Sequence, residues 1–285
     1  MHLHEKKVKE LELIANRLRR HVIQMVAAAG SGHQGGSLGM ADIFTVLYFH
    51  ELHHKPKQPG WPERDRLVLS NGHICPIQYA AMAEAGYFPV KELLTLRKFK
   101  SRLQGHPERS RLPGLEVSSG PLGAGLAQGA GLAYAAKMDQ KTWRTYCLTS
   151  DAEQACGLNW EAAMFAGKNR LDNLVCIIDR NNIQIDGDTE DVMPLEPLKE
   201  KYEAFNWHVL ECNGNDITEV WEALEEAKTI HQIPVCIIAH TIPGRGVSYM
   251  ENNYLWHSQP FKPGEAEQAL HELNEMERRL KAGHI

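Results

Sequence analysis

The second half of this chain alternates between two kinds of segment. Apolar runs at 145–150, 174–179, 207–212 and 234–240 are interleaved with helix-like stretches at 157–168, 195–205 and 216–230. The runs are nearly continuous, as expected of strands buried on both faces. Buried strands separated by helices predict an α/β fold, a parallel sheet flanked by helices on both faces.

Two of the runs end in oxygen donors. The first leads into Asp151, and the second ends at Asp179, Asn181 and Asn182. Side by side, these ends would offer a charged oxygen from Asp151, a neutral one from the Asn181 side chain and the backbone carbonyl of Ile183. That set suits a hard cation holding a phosphate, in the crevice where open α/β sheets bind ligands. A helix after Asp151 would aim its N-terminal amides at the same anion. Asp and Asn after apolar runs are also ordinary turn and cap residues.

The first half is less regular. Residues 5–29 read as an amphipathic helix, with Val8, Leu11, Ile14, Leu18 and Val22 near a helical period. Glycines at 30, 32, 35, 36 and 39 break it around His33. A helix at 41–52 follows, with Asp42 in its first turn. A loop covers 54–65, and a short strand, 67–70, ends at Asn71-Gly-His73. Residues 76–86 return to helix. Residues 98–122 form a long loop with His106 and the Gly120-Pro121-Leu122-Gly123 turn; such loops are often functional. An Ala- and Gly-rich helix spans 123–137, and an amphipathic helix at 263–282 closes the chain. The simplest division of the 285 residues is one domain, 1–285.

A net charge of −5 and the lack of a long basic run argue against nucleic acid as a partner. No apolar run approaches a membrane span. The N-terminus lacks a signal core, which points to the cytoplasm. None of the six cysteines forms a CxxC pair, so disulfides and zinc are not expected. The signatures of zinc proteases, serine hydrolases, P-loop enzymes and dinucleotide-binding folds are missing. Of the 15 histidines, His33, His73, His106 and His257 stand at glycine-rich or strand-end breaks. Converging on a crevice, they would suit sugar hydroxyls, an anionic phosphate or proton transfer.

Several ordered motifs resemble the N-terminal, thiamine-diphosphate-binding part of the transketolase family. Ser31-Gly-His-Gln-Gly-Gly-Ser-Leu-Gly-Met-Ala-Asp42 is similar to its SGHxGxxLGxAD opening, and Asp65-Arg-Leu-Val-Leu-Ser-Asn-Gly-His73 to its DRxxLSxGH segment. Gly105-His-Pro-Glu108, Gly120-Pro-Leu-Gly123, Trp160-Glu-Ala-Ala163, Gln184-Ile-Asp-Gly187, Gly244-Arg-Gly-Val-Ser248 and Trp256-His257 continue the match. The resemblance implies a diphosphate-binding domain that takes thiamine diphosphate with Mg2+, Ca2+ or Mn2+. By that resemblance Asp151, Asn181 and the Ile183 carbonyl hold the metal. His73, Gly120, Pro121, Leu122, Asp151, Ala152, Asn181 and His257 contact the cofactor. His33, His106 and His257 meet the substrate, with His33 and His257 catalytic. The implied reaction moves a two-carbon ketol unit from a ketose phosphate to an aldose, the cofactor supplying the chemistry.

The chain departs from the family pattern in three places. Ser150-Asp151-Ala152 replaces the family's GDG; an alanine needing positive φ would be strained by roughly 1–2 kcal/mol. Cys156 replaces a glutamate five residues after the aspartate. The chain also ends at Ile285, where a full-length transketolase continues into a pyrimidine-binding domain and a C-terminal domain. The resemblance therefore implies one half of a split enzyme. It would self-associate with a partner chain carrying those domains, as a heterotetramer with two chains of each kind, active on sugar phosphates. The alternatives are a thiamine-dependent dehydrogenase α chain, a deoxyxylulose-phosphate synthase and a non-catalytic cofactor-domain subunit.

Overall fold

The computed structural model describes residues 3–283. The chain enters on α1 (Leu3–Ala29), followed by α2 (Gln34–Gly39) and α3 (Ala41–Val46). Next come β1 (Arg66–Leu69), α4 (Cys75–Ala85), α5 (Ala124–Met138), β2 (Thr145–Ser150), α6 (Gly157–Lys168) and β3 (Leu174–Arg180). A small hairpin, β4 (Ile183–Gln184) and β5 (Gly187–Asp188), leads to α7 (Thr189–Val192) and α8 (Leu198–Ala204). The chain finishes with β6 (His208–Asn213), α9 (Ile217–Thr229), β7 (Val235–His240) and α10 (Glu265–Ala282). Among the described residues, no helix is long and apolar enough to cross a membrane.

Five strands form one parallel sheet in the order β1-β2-β3-β7-β6. Every residue of β2 and β3 is buried, which is why those runs lack polar alternation. Alternate side chains feed two apolar layers. Tyr146, Leu148, Val175, Ile177 and Ile237 pack with Leu18, Phe44, Ile77 and Leu224 on one face. On the other face, Cys147, Cys176 and Cys236 stand in register beneath Ala130, Ala133, Ala163 and Tyr202. These small residues let α5 and α6 lie close to the sheet. All three cysteines are free thiols.

The topology opens a crevice at the C-terminal rim. After β3 the chain passes to the face of α6 and α8; after β6 it returns through α9 on the opposite face. β7 is thereby inserted next to β3, the kind of reversal at which α/β sheets bind ligands.

Some local expectations need correction. The glycine-rich stretch is not all irregular, because α2 forms within it. Its glycines serve close packing instead. A Cβ on Gly35 would lie 2.9 Å from the Trp256 carbonyl oxygen, and one on Gly39 2.9 Å from that of Ile242. The Gly244 N–H donates to the Gly35 carbonyl at 2.8 Å. Through these contacts α2 docks the segment that carries His257. The expected helix at 41–52 is α3 followed by a wider π-helical turn, Leu47–Glu51. No α-helix starts directly after Asp151: a 3-10 turn, Ala152–Ala155, intervenes and α6 begins only at Gly157. Its amides therefore do not serve as the anion site expected beside Asp151. Ala152 adopts no positive φ, so the expected strain is absent.

Candidate active site

The crevice contains a cavity of about 350 Å³. His33, His73, His106 and His257 line it together with Gly36, Gly120, Leu122, Ser150, Ala152, Asn181 and the segment Ile183–Asp186. The four histidines come from separate elements. His33 precedes α2, His73 follows β1, His106 lies in the long loop, and His257 ends a 3-10 turn after β7. Ring centroids are 5.1 Å apart for His33–His73, 5.3 Å for His33–His257, 5.1 Å for His73–His257 and 6.4 Å for His33–His106.

Burial is the main cause that keeps these imidazoles neutral. Burial pushes His33 down to about 3, and His257, Arg97 and His106 add to the effect. Burial likewise lowers His73, His106 and His257. The Arg97 guanidinium, which can only donate, lies 3.4 Å from His33 Nδ1 and 3.1 Å from Ser31 Oγ. Nδ1 therefore accepts, which leaves the His33 proton on Nε2. The cluster offers directional donors and acceptors rather than net charge, suited to hydroxyls and a polarised carbonyl.

The oxygen donors are brought together only in part. Ser150 pairs with Asp179 across β2 and β3, so the two strand ends are adjacent as expected. Asn181 and Ile183 lie on the cavity wall. The Asn181 amide donates to Asp179 Oδ2 at 2.8 Å, and its Oδ1 accepts from Ile183 N at 3.0 Å. Asp151 departs from the expected arrangement. Its neighbours Ser150 and Ala152 line the cavity, but Asp151 itself does not and is 0% exposed. Arg180 Nη1 donates to its Oδ2 at 3.0 Å and Asn182 N at 2.7 Å, while Ala152 N donates to Oδ1 at 2.7 Å. The carboxylate is already neutralised and largely saturated, so this donor set does not fit a divalent cation.

Elsewhere, His50, Glu51 and Glu225 form the only group of three metal-ligating side chains found within mutual reach among the described residues. Lys228 already bridges Glu51 at 3.1 Å and Glu225 at 2.7 Å.

The remaining lining fits an organic cofactor better. The cavity has the size of a small-molecule site. The Gln184 amide nitrogen on its wall is buried without a partner, a free donor for an anionic ligand. Sequence patterning assigned no site role to Arg97, Glu153 or Gln184, although Gln184 opens one of the matched motifs. Glu153 is fully buried and accepts from Ser70 Oγ, from Gly123 N at 2.5 Å and from Ser150 N at 3.1 Å. It ties the ends of β1 and β2 to the turn that presents Gly120 and Leu122. A carboxylate two residues beyond Asp151 was the available signal. Pro121 belongs to the same turn but not to the cavity lining.

The family sequence model described as "Transketolase, thiamine diphosphate binding domain" matches residues 11–277. The chain belongs to the transketolase family. It is 41% identical over 249 residues to a 6-deoxy-6-sulfo-D-fructose transketolase subunit of Clostridium sp. (strain MSTE9), with 87% of this chain and 90% of that protein covered. It is 39% identical over 274 residues to an apulose-4-phosphate transketolase subunit of Phocaeicola vulgatus, with 96% and 97% covered. The transketolase structure from Campylobacter jejuni superposes with a TM-score of 0.84 at 34% identity. That match covers 99% of this chain and 48% of the solved one, so the chain spans about half of that transketolase. The family match spans the whole parallel sheet and all four cavity histidines.

Proposed function

We propose that this chain is the N-terminal, cofactor-holding subunit of a two-chain transketolase. It would transfer a two-carbon ketol unit from a ketose phosphate to an aldose. The observation that carries this reading is the convergence of His33, His73, His106 and His257 on one cavity beside Asn181 and Gly120. When bound there, thiamine diphosphate supplies the ring that accepts and releases the ketol unit.

The chain's own residues bind and orient. The cofactor's diphosphate would lie toward His73, Asn181, Gln184 and the Gly120–Leu122 turn, where backbone and side-chain donors are concentrated. His33, His106 and His257 would meet the substrate's carbonyl and hydroxyls. His33 Nε2–H donates to the substrate oxygen on which charge develops, and His257 accepts and returns a proton across the cluster. The expected Mg2+, Ca2+ or Mn2+ enters no step of this scheme.

The partner is a chain carrying pyrimidine-binding and C-terminal domains, and two chains of each kind would assemble. Two relatives bear the word "subunit" in their names, which supports a partner. Those names also span a sulfosugar and a sugar phosphate, so the anionic end of the ketose would vary while its hydroxyls remain. We place the protein in the cytoplasm, where the three free thiols in register across β2, β3 and β7 stay reduced.

The test is ketol transfer by the co-purified pair with thiamine diphosphate, with pyruvate as a control substrate. Transfer by the pair and none by this chain alone is expected. Full turnover by the isolated chain, or a preference for pyruvate, would overturn the reading. The sealed Asp151 favours one rival, a non-catalytic chain kept for assembly. That rival is supported if thiamine diphosphate fails to raise the melting temperature of the pair.

A further inference from the structure

Asp151 stands where β2 delivers its C-terminal carboxylate toward the cofactor cavity, yet it meets a cation belonging to the chain itself. Arg180 ends the neighbouring strand and is only 4% exposed. Its Nη1 lies 3.0 Å from Asp151 Oδ2. Its Nη2 lies 2.6 Å from Glu190 and 3.0 Å from Glu196. The two glutamates come from the segment after the β4–β5 hairpin and anchor the guanidinium from behind. Asp151 Oδ2 also accepts from Asn182 N at 2.7 Å, with Thr189 Oγ1 at 3.4 Å. A carboxylate presents about four lone-pair sites, and these contacts fill most of them. A dication reaching Oδ1 would lie close to a fixed guanidinium and gain little from a carboxylate already neutralised.

We propose that Arg180 is a built-in counter-ion for Asp151, which takes the divalent-metal site away from this chain and leaves thiamine diphosphate to bind without a metal. The inference rests on the cofactor reading above. The ligand's charge is met instead by hydrogen-bond donors on the wall, among them the unpartnered amide of Gln184. Arg180 acts through Asp151 and does not touch the cofactor, so it is a positioning residue.

Two measurements test this, the first on the full chain. Mn2+ binding is read from the loss of the free-ion paramagnetic resonance signal, without cofactor. Wild type is expected to show no site that Asp151→Asn removes. Arg180→Met, which keeps reach but loses the cation, is expected to bind Mn2+ at least about tenfold tighter than wild type, and its melting temperature should become Mn2+-dependent. In Asp151→Asn/Arg180→Met both gains should vanish. Separately, the rise in melting temperature of the co-purified wild-type pair with thiamine diphosphate should be equal in EDTA and in Mg2+.

A wild-type Mn2+ site that disappears in Asp151→Asn overturns the proposal, as does cofactor stabilisation that EDTA abolishes. Should Arg180→Met fail to fold, the wild-type comparison still decides. If thiamine diphosphate stabilises in neither buffer, the cofactor reading fails, while the Mn2+ measurement still judges Arg180.

Discussion

Replacing His33 by Asn should change how stability responds to acid. In the folded chain burial and the facing His257, Arg97 and His106 hold His33 near 3, against 6.5 when exposed. Below about pH 6.5 the unfolded chain's imidazole takes up a proton that the folded one refuses. His33 therefore favours folding at neutral pH, and that contribution is lost as pH falls from about 6.5 toward 3. Between about pH 7 and pH 5 linkage gives a loss of at most ~2 kcal/mol from this residue. Asp179 works in the opposite direction: burial, aided by the Asp151 charge, pushes it up to about 7. It takes up a proton on folding in the same window, so the wild-type curve alone does not isolate His33. The difference between wild type and His33→Asn does. Asn retains an acceptor for Arg97 and cannot titrate. Denaturant unfolding at about pH 7 and pH 5 should show the variant losing less stability than wild type, by up to ~2 kcal/mol. Parallel pH dependences, agreeing within about 0.5 kcal/mol, would refute the claim that the cluster holds His33 neutral.

Glu153→Ala leaves Ser70, Gly123 N and Ser150 N without their acceptor and should cost about 3–5 kcal/mol by denaturant unfolding, with Glu153→Gln costing less. Both variants should also weaken thiamine diphosphate binding in calorimetry, because the Gly120–Gly123 turn loses its tether. Gly35→Ala places a Cβ 2.9 Å from the Trp256 carbonyl oxygen; a loss of about 1–3 kcal/mol and a fall in kcat/KM of the assembled pair are expected, since His257 moves with that segment. Thr241→Val removes the hydroxyl that donates to Asp179 and should destabilise by about 1–3 kcal/mol. Unchanged melting curves would show that Asp179 finds another partner.

The strands were readable because β2 and β3 are buried along their whole length, and burial on both faces fills their middles with apolar side chains. The four site histidines were readable because each interrupts a glycine-rich or strand-end break. Helix starts were less readable. Ala152–Ala155 has good helix formers, yet Asp151 and Glu153 turn their side chains onto local amides and shape a tight 3-10 turn instead. α2 was hidden because its glycines read as a break, whereas the backbones of Trp256 and Ile242, more than 200 residues away, are what require Gly35 and Gly39. Arg180 did carry a signal along the chain: a lone cation at the end of a strand whose first five residues are apolar.

Sequence by itself determined the layered α/β architecture, the adjacency of the two strand ends and which imidazoles gather there, because hydrophobic period and chain order act locally and repeat. Only the tertiary structure decided what Asp151 meets. A carboxylate at a strand end can face a cavity, a backbone amide or a cation, and the choice depends on side-chain direction and on Glu190 and Glu196 folding back from a later segment to hold Arg180 in place. Those contacts join residues up to 29 positions apart, Asp151 to Arg180, and no pattern along the chain encodes them.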